Sequence, residues 1–404
     1  MNLLLIPLLF LIWRIFDFLV IFFSQKIIPY LGFFPYSDQL PGFNLPSWIS
    51  ALANFDGLHY ISIARDGYAQ YEQAFFPLYP MLIKFLAPLF SNNQLLTGLI
   101  ISNVSFLIGL IVFYKYLSKG VINHAPTTIL LLLAFPTSFF FGAVYTEGLF
   151  FLLLISTLYF LKKERYPLVA IFSFLTSLTR LVGIFLIIPI IFHFFSKRKK
   201  PSIYHLTSII FPLFGLGLYC FYLFKTTGDP FFFLTSQPIF GANRSSHLIL
   251  LPQVYWRYFK IFITAAHDSR YFVSLIEFLM FNFVFIVLFL DLCKNLGIKN
   301  LKPVYQNYRS VQGHEPSRKS GLVHWLKIEN YNRLGLNLFS FANLILPTLT
   351  GTFSSIPRYA LFSLSFFIYL SGQKNNLIKY FIIMIFLILH ILLLGYFTQG
   401  YFIS

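Results

Sequence analysis

A carboxylate and a histidine three residues apart, just past a long apolar run, can do proton chemistry, and this chain carries such a pair in Phe55-Asp56-Gly57-Leu58-His59-Tyr60. Asp56 is the leading candidate for a general base, the group that removes a proton from an attacking hydroxyl. The competing use is local: Asp followed by Gly also opens a helix as its cap. Asp56, His59, Asp66 and Glu72 together suggest a divalent metal only weakly, because their spacing is irregular and they include a single His. Neither a metal site nor a cofactor is therefore expected.

Other charged residues stand where charge is expensive. Glu147 lies between two apolar runs, in Tyr145-Thr146-Glu147-Gly148. It reads equally as a helix-cap partner and as an acceptor for sugar hydroxyls. Arg180 sits in Leu178-Thr179-Arg180-Leu181-Val182 with no acid nearby in sequence. A buried Arg needs an anion, which here is either a distant carboxylate or a lipid phosphate. Arg358, followed by Tyr359, poses the same choice, and the guanidinium fork suits phosphate. Gly228-Asp229-Pro230 reads first as a turn. Arg14 and Asp17, three apart in the first apolar run, are expected to neutralise each other.

These residues must be positioned by helices. Hydrophobic residues make up 57% of 404 positions and charged ones 11%, against roughly 45–50% and about 25% in soluble domains. Long Leu/Ile/Phe runs recur throughout without period-2 alternation, which predicts an all-α polytopic membrane protein in one domain, not a barrel. The net charge of +17 is read as orientation of loops in the membrane, not as a nucleic-acid surface. Cys220 and Cys293 support neither a disulfide framework nor a zinc site. No Walker loop, GxGxxG, HExxH, GxSxG or CxxC occurs, so nothing suggests nucleotide use.

Hydropathy predicts about eleven membrane helices. They fall over Leu3–Phe23, Gly98–Leu117, Pro126–Phe141, Leu149–Leu161, Pro167–Thr179, Val182–Phe195, Ile203–Phe224, Phe272–Leu292, Leu336–Leu349, Ile356–Leu370 and Ile378–Leu394. The first is expected to be an uncleaved span, since it lacks a basic leader and a small-residue cleavage site. Several are short, as tolerated where helices enclose a cavity. With the N-terminus inside, most of the 30 Lys and Arg collect on the cytoplasmic side, above all in a basic loop over 294–335. This alternation requires a break at Arg180-Leu181. The motif-bearing segments then share the extracytoplasmic face, beginning with a large first loop over 24–97. Within that loop, Pro77–Leu89 is expected to lie at the interface. No internal repeat or inverted pairing is visible.

In this order the segments resemble the GPI-anchor mannosyltransferase family that adds the second mannose, with its prokaryotic relatives, in the GT-C class of membrane glycosyltransferases. The resemblance rests on Phe55-Asp56-Gly57-Leu58-His59-Tyr60 with Gly67-Tyr68, and on Ala74-Phe75-Phe76-Pro77-Leu78-Tyr79-Pro80. It continues through Phe135-Pro136-Thr137-Ser138, Tyr145-Thr146-Glu147, Leu178-Thr179-Arg180, Gly228-Asp229-Pro230 and Ser355-Ile356-Pro357-Arg358-Tyr359. Phe55 departs from the family's usual Trp. The resemblance implies a GT-C-like helical bundle. It also implies a polyprenyl-phosphate sugar donor, mannose being the first expectation, and a glycan or glycolipid acceptor on the extracytoplasmic face. Asp56 would be the catalytic base, with His59, Tyr60, Glu72, Glu147, Arg180, Asp229, Arg358 and Tyr359 around the substrates. A transporter or flippase of a lipid-linked saccharide is the alternative. It shares the helices and buried arginines but does not need Asp56.

Overall fold

The computed structural model describes residues 5–118, 124–197, 202–240, 244–296 and 330–403. Among them the chain is helical, with no strand. The helices run α1 (Leu5–Ile27), α2 (Ser47–Ser50), α3 (Asp56–Asp66), α4 (Leu78–Leu86), α5 (Gln94–Ser118), α6 (Ala125–Ala134), α7 (Glu147–Lys162), α8 (Tyr166–Thr179) and α9 (Ile187–Lys197). They continue with α10 (Ile203–Thr227), α11 (Phe232–Thr235), α12 (Leu251–Thr264), α13 (Ser269–Asn295), α14 (Tyr331–Ile345), α15 (Ile356–Ala360), α16 (Leu364–Ser371) and α17 (Asn376–Thr398).

Five helices, α1, α5, α10, α13 and α17, are long and apolar enough to cross a membrane, and the chain is an all-helical integral membrane protein. The remaining expected spans occur as shorter or broken helices. Expected span 126–141 stops at Ala134 because Phe135 precedes Pro136 and takes an extended conformation. A 3-10 turn, Ser138–Gly142, follows. Expected span 336–349 likewise ends at Ile345, and Leu346-Pro347 begins a 3-10 segment to Thr350. Span 356–370 divides into α15 and α16 at Ser363, whose Oγ donates to the Ser340 carbonyl at 3.2 Å. The break required at Arg180 is present: the residue is extended between α8 and a 3-10 segment over Leu181–Leu186. Pro77–Leu89 is helical, as α4 and the turn after it, with Met81, Phe85 and Leu89 exposed. In the basic loop over 294–335, residues 297–329 lie outside those described, as do Lys119, Arg198, Lys199 and Lys200.

The starts of the long helices are explained by side-chain caps. Asn93 Oδ1 accepts from the Leu96 amide, Asp268 from Tyr271, and Asn375 from Leu377. α10 ends at Gly228 with φ +78°. Close neighbours in the bundle include α1 with α17, α5 with α7, α8 with α10, and α14 with α9 and α13. Phenylalanine fills the core: Phe106 and Phe141 stack at 4.2 Å, and Phe135 meets the edges of Phe366, Phe367 and Phe386. The expected Arg14–Asp17 pair forms at 2.9 Å. Sequence spacing did not reveal its third member: His390 Nε2 lies 2.8 Å from the other Asp17 oxygen. All three side chains are buried, so this cluster ties α1 to α17 inside the bundle.

Between the expected spans 203–224 and 272–292 the chain forms further helices, α11 and α12. α12 exposes Trp256, Phe259 and Ile263 and buries Val254 and Tyr258. With Arg257 and Lys260 between them, it has the composition of a helix lying along a lipid interface.

Candidate functional site

Three helix ends and one short helix bring the charged motifs together. Asp56 is the first residue of α3, and Glu147 the first of α7. Each carboxylate thus benefits from the positive end of a helix dipole. Arg180 sits just past the C-terminal end of α8, where a cation is favoured. Arg358 comes from α15. The residue before Asp56, Phe55, has φ +59°, and the residue that opens α15, Ser355, has φ +69°. A bulky non-glycine residue in that region is strained, and such strain concentrates where a neighbouring side chain must be aimed. Here it flanks both the Asp56 and the Arg358 segments.

Arg358 Nη1 donates to Asp56 Oδ2 at 2.7 Å. Its Nε lies 3.3 Å from Glu147 Oε1. That same Glu147 oxygen pairs with Arg180, whose Nη1 also donates to Thr146 Oγ1 at 3.1 Å. The result is a chain of alternating charge, Asp56–Arg358–Glu147–Arg180. Aromatic faces hold the cations: Arg180 is 4.8 Å from the Tyr359 ring centre, and Arg358 is 5.4 Å from both Phe140 and Tyr145. Beside the chain, His59 Nδ1 is 3.1 Å from Glu72 Oε1, while Glu72 Oε2 accepts from the Ala69 amide at 3.0 Å. His59 stacks on Phe75 at 5.0 Å.

The capping use of Asp56 is not what the geometry supports. Phe55 holds the cap position and no side-chain cap bond is made there. Burial works against ionising the Asp56 carboxyl, but Arg358, aided by His59 and Arg244, outweighs burial and holds it below the usual carboxylate range.

These groups border a cavity of about 960 Å³. Asp56, His59, Tyr60, Glu72, Arg180, Arg358 and Tyr359 all line it. Two expected substrate residues do not. Glu147 is fully buried behind the wall, where it serves as counter-ion to two arginines. Asp229 makes its own turn, accepting from the Phe231 amide at 2.8 Å and the Thr235 hydroxyl at 2.9 Å.

The cavity wall also contains residues that no motif flagged, including Phe34, Phe402 and Arg244. Phe34 lies tilted against Phe55 with ring centres 4.6 Å apart, and Phe402 meets Phe55 edge to face at 5.3 Å. An aromatic surface beside an acid and cations suits the apolar face and hydroxyl rim of a sugar. Nothing in the sequence around Arg244 distinguished it from an ordinary solvated loop cation.

Comparison of the chain with family models, with curated proteins and with solved structures found no match. Among the described residues no group of His, Cys, Asp and Glu could hold a metal ion.

Proposed function

We propose that this protein is a membrane glycosyltransferase that moves a sugar, mannose in the first instance, from a polyprenyl phosphate to an acceptor hydroxyl with inversion. The observation that carries the reading is Asp56 on the wall of a large aromatic cavity, ion-paired with Arg358, with Arg180 on the same wall. In this reading the acceptor oxygen attacks the anomeric carbon, and its proton passes to the Asp56 carboxylate. The bond from that carbon to the donor phosphate breaks, and its electron pair leaves on the phosphate. The leaving group gains charge as it departs, which is what nearby guanidinium groups stabilise. One base and one leaving group make a single displacement, and no soluble nucleotide takes part.

Arg358 explains how a base held below its usual range could act. An anionic donor beside Arg358 offsets the field that depresses Asp56, so the carboxylate gains basicity only once the donor is in place. The short broken helices would complete a GT-C-like bundle of about eleven spans, as the hydropathy reading has it. The site would open on the extracytoplasmic face, toward a glycan or glycolipid acceptor.

Purified protein in lipid nanodiscs, given polyprenyl-phosphate mannose and GDP-mannose in separate reactions, tests this. Transfer or hydrolysis is expected only with the lipid-linked donor. Turnover with GDP-mannose alone would refute it. Movement of the intact lipid-linked sugar across a vesicle membrane without bond cleavage would establish the flippase alternative.

A further inference from the structure

Three arginines line the cavity, and they are not equivalent. Arg180 is paired with Glu147, and Arg358 with Asp56 and Glu147. Arg244 meets only neutral groups among the described residues: its Nη1 donates to Gln237 Oε1 at 3.3 Å and its Nη2 to Ser355 Oγ at 3.2 Å. Both bonds are long and engage two of the five N–H donors of a guanidinium, and Arg244 lines the cavity. Ser355 opens α15, three residues before Arg358, which sets the Arg244 head beside the ion-paired wall. The segment carrying it is anchored: Ser245 donates its amide to the Thr350 carbonyl at 2.8 Å, and Ile249 to Leu349 at 2.9 Å. Charge from Arg244 reaches Asp56.

Beside the polar Gln237, Ser245, Ser246 and His247, the same cavity wall carries apolar side chains. Leu234, Ile239 and Leu248 line the same cavity and yet are 42%, 52% and 79% exposed. Exposed apolar side chains of this kind in a membrane protein are suited to lipid contact, and α12, with the composition of an interface helix, follows directly. A head-group cation beside an apolar exit fits an amphiphile with one phosphate at the end of a hydrocarbon chain.

We propose that Arg244 is the principal phosphate ligand of the lipid donor, with the prenyl chain leaving the cavity over Ile239 and Leu248. The inference rests on the transferase reading above and names the residue on which donor recognition turns. Arg180 and Arg358 are in direct ion pairs with carboxylates, so an arriving phosphate gains most from the guanidinium that, among the described residues, touches no acid.

The test is equilibrium binding to the full chain in nanodiscs, with radiolabelled polyprenyl monophosphate, neutral polyprenol of the same length, and inorganic phosphate as competitor. Wild type is expected to prefer the lipid phosphate to the alcohol, and millimolar inorganic phosphate to compete poorly. Arg244→Gln should reduce lipid-phosphate affinity by roughly tenfold or more, the scale of a charge-assisted bond, with no change for the alcohol. Arg244→Lys, which keeps the charge but loses the fork, should fall between, and it decides the matter if the Gln variant misfolds. Unchanged preference in a folded Arg244→Gln or Arg244→Lys protein overturns the assignment and leaves the transferase reading standing. Free phosphate competing as strongly as the lipid overturns the lipid as ligand. A wild type that does not distinguish phosphate from alcohol overturns the assignment and the transferase reading together.

Discussion

Arg358 and Asp56, 302 residues apart in the chain, form an ion pair on the cavity wall, with Nη1 and Oδ2 2.7 Å apart. Neither side chain is sealed off: the arginine is 12% and the aspartate 24% exposed. The pair neutralises itself and is partly accessible from the cavity.

Replacing Asp56 by Asn should lower turnover roughly 10²-fold or more, the lower range for a positioned base. In the proposed reaction the phosphate also draws on Arg358 beside its principal ligand Arg244, so Asp56→Asn should bind polyprenyl monophosphate at least as tightly as wild type. The destabilisation should fall below the roughly 3–5 kcal/mol of breaking a fully buried pair. Single-turnover transfer and lipid binding on the same preparation check both halves. Near-normal transfer by a folded Asp56→Asn protein removes Asp56 as the base.

The pH profile should show the pair opening. In the free protein Asp56 titrates below the ordinary aspartate value of 3.8. The acid limb of kcat/KM, which reports the free enzyme, should thus lie below that pH. With donor bound the arginine field is offset, so the acid limb of kcat should lie at higher pH. The stability that Asp56 adds is present above its unfolded value and is lost as pH falls through its folded value. Coincident acid limbs would show that Arg358 does not gate the base.

Glu147 should matter most for folding. Glu147→Gln leaves Arg180 and Arg358 without their shared counter-ion, and a loss of about 3–5 kcal/mol is expected. Arg180→Ala should cost less, because Glu147 keeps Arg358 3.3 Å away. Gly148→Ala probes the same point by packing. An added methyl would meet the Phe141 carbonyl oxygen at 2.7 Å and press on the Ser102 carbonyl, for roughly 1–3 kcal/mol of strain. Thermal unfolding in detergent should rank Glu147→Gln as less stable than Arg180→Ala, and the reverse order would show that Glu147 is not the shared anchor.

Topology is open to direct labelling. On a background lacking Cys220 and Cys293, single cysteines at the exposed positions Asp38 and Lys374 should react with an impermeant reagent from opposite sides. The motive is the loop charge bias. Reaction of both from one side would sink the orientation.

Much of this molecule was legible in the chain because hydropathy is a local sum. The apolar runs of α1, α5, α10, α13 and α17 announce membrane helices from composition alone, whereas the expected spans ran through Pro136 and Pro347, next to which the shorter helices in fact stop. Asp56, Arg180 and Arg358 stood out because a charge in an apolar neighbourhood demands a partner. Which partner it takes is a long-range property. Only the folded chain decided that Arg358 answers Asp56 and that Glu147 answers Arg180. It also showed Glu147 behind the cavity wall and Asp229 outside it. Arg244 was invisible for the opposite reason. A cation in a polar loop violates no local rule, and that it touches no carboxylate among the described residues emerges only once Gln237, Ser355 and the cavity are assembled around it.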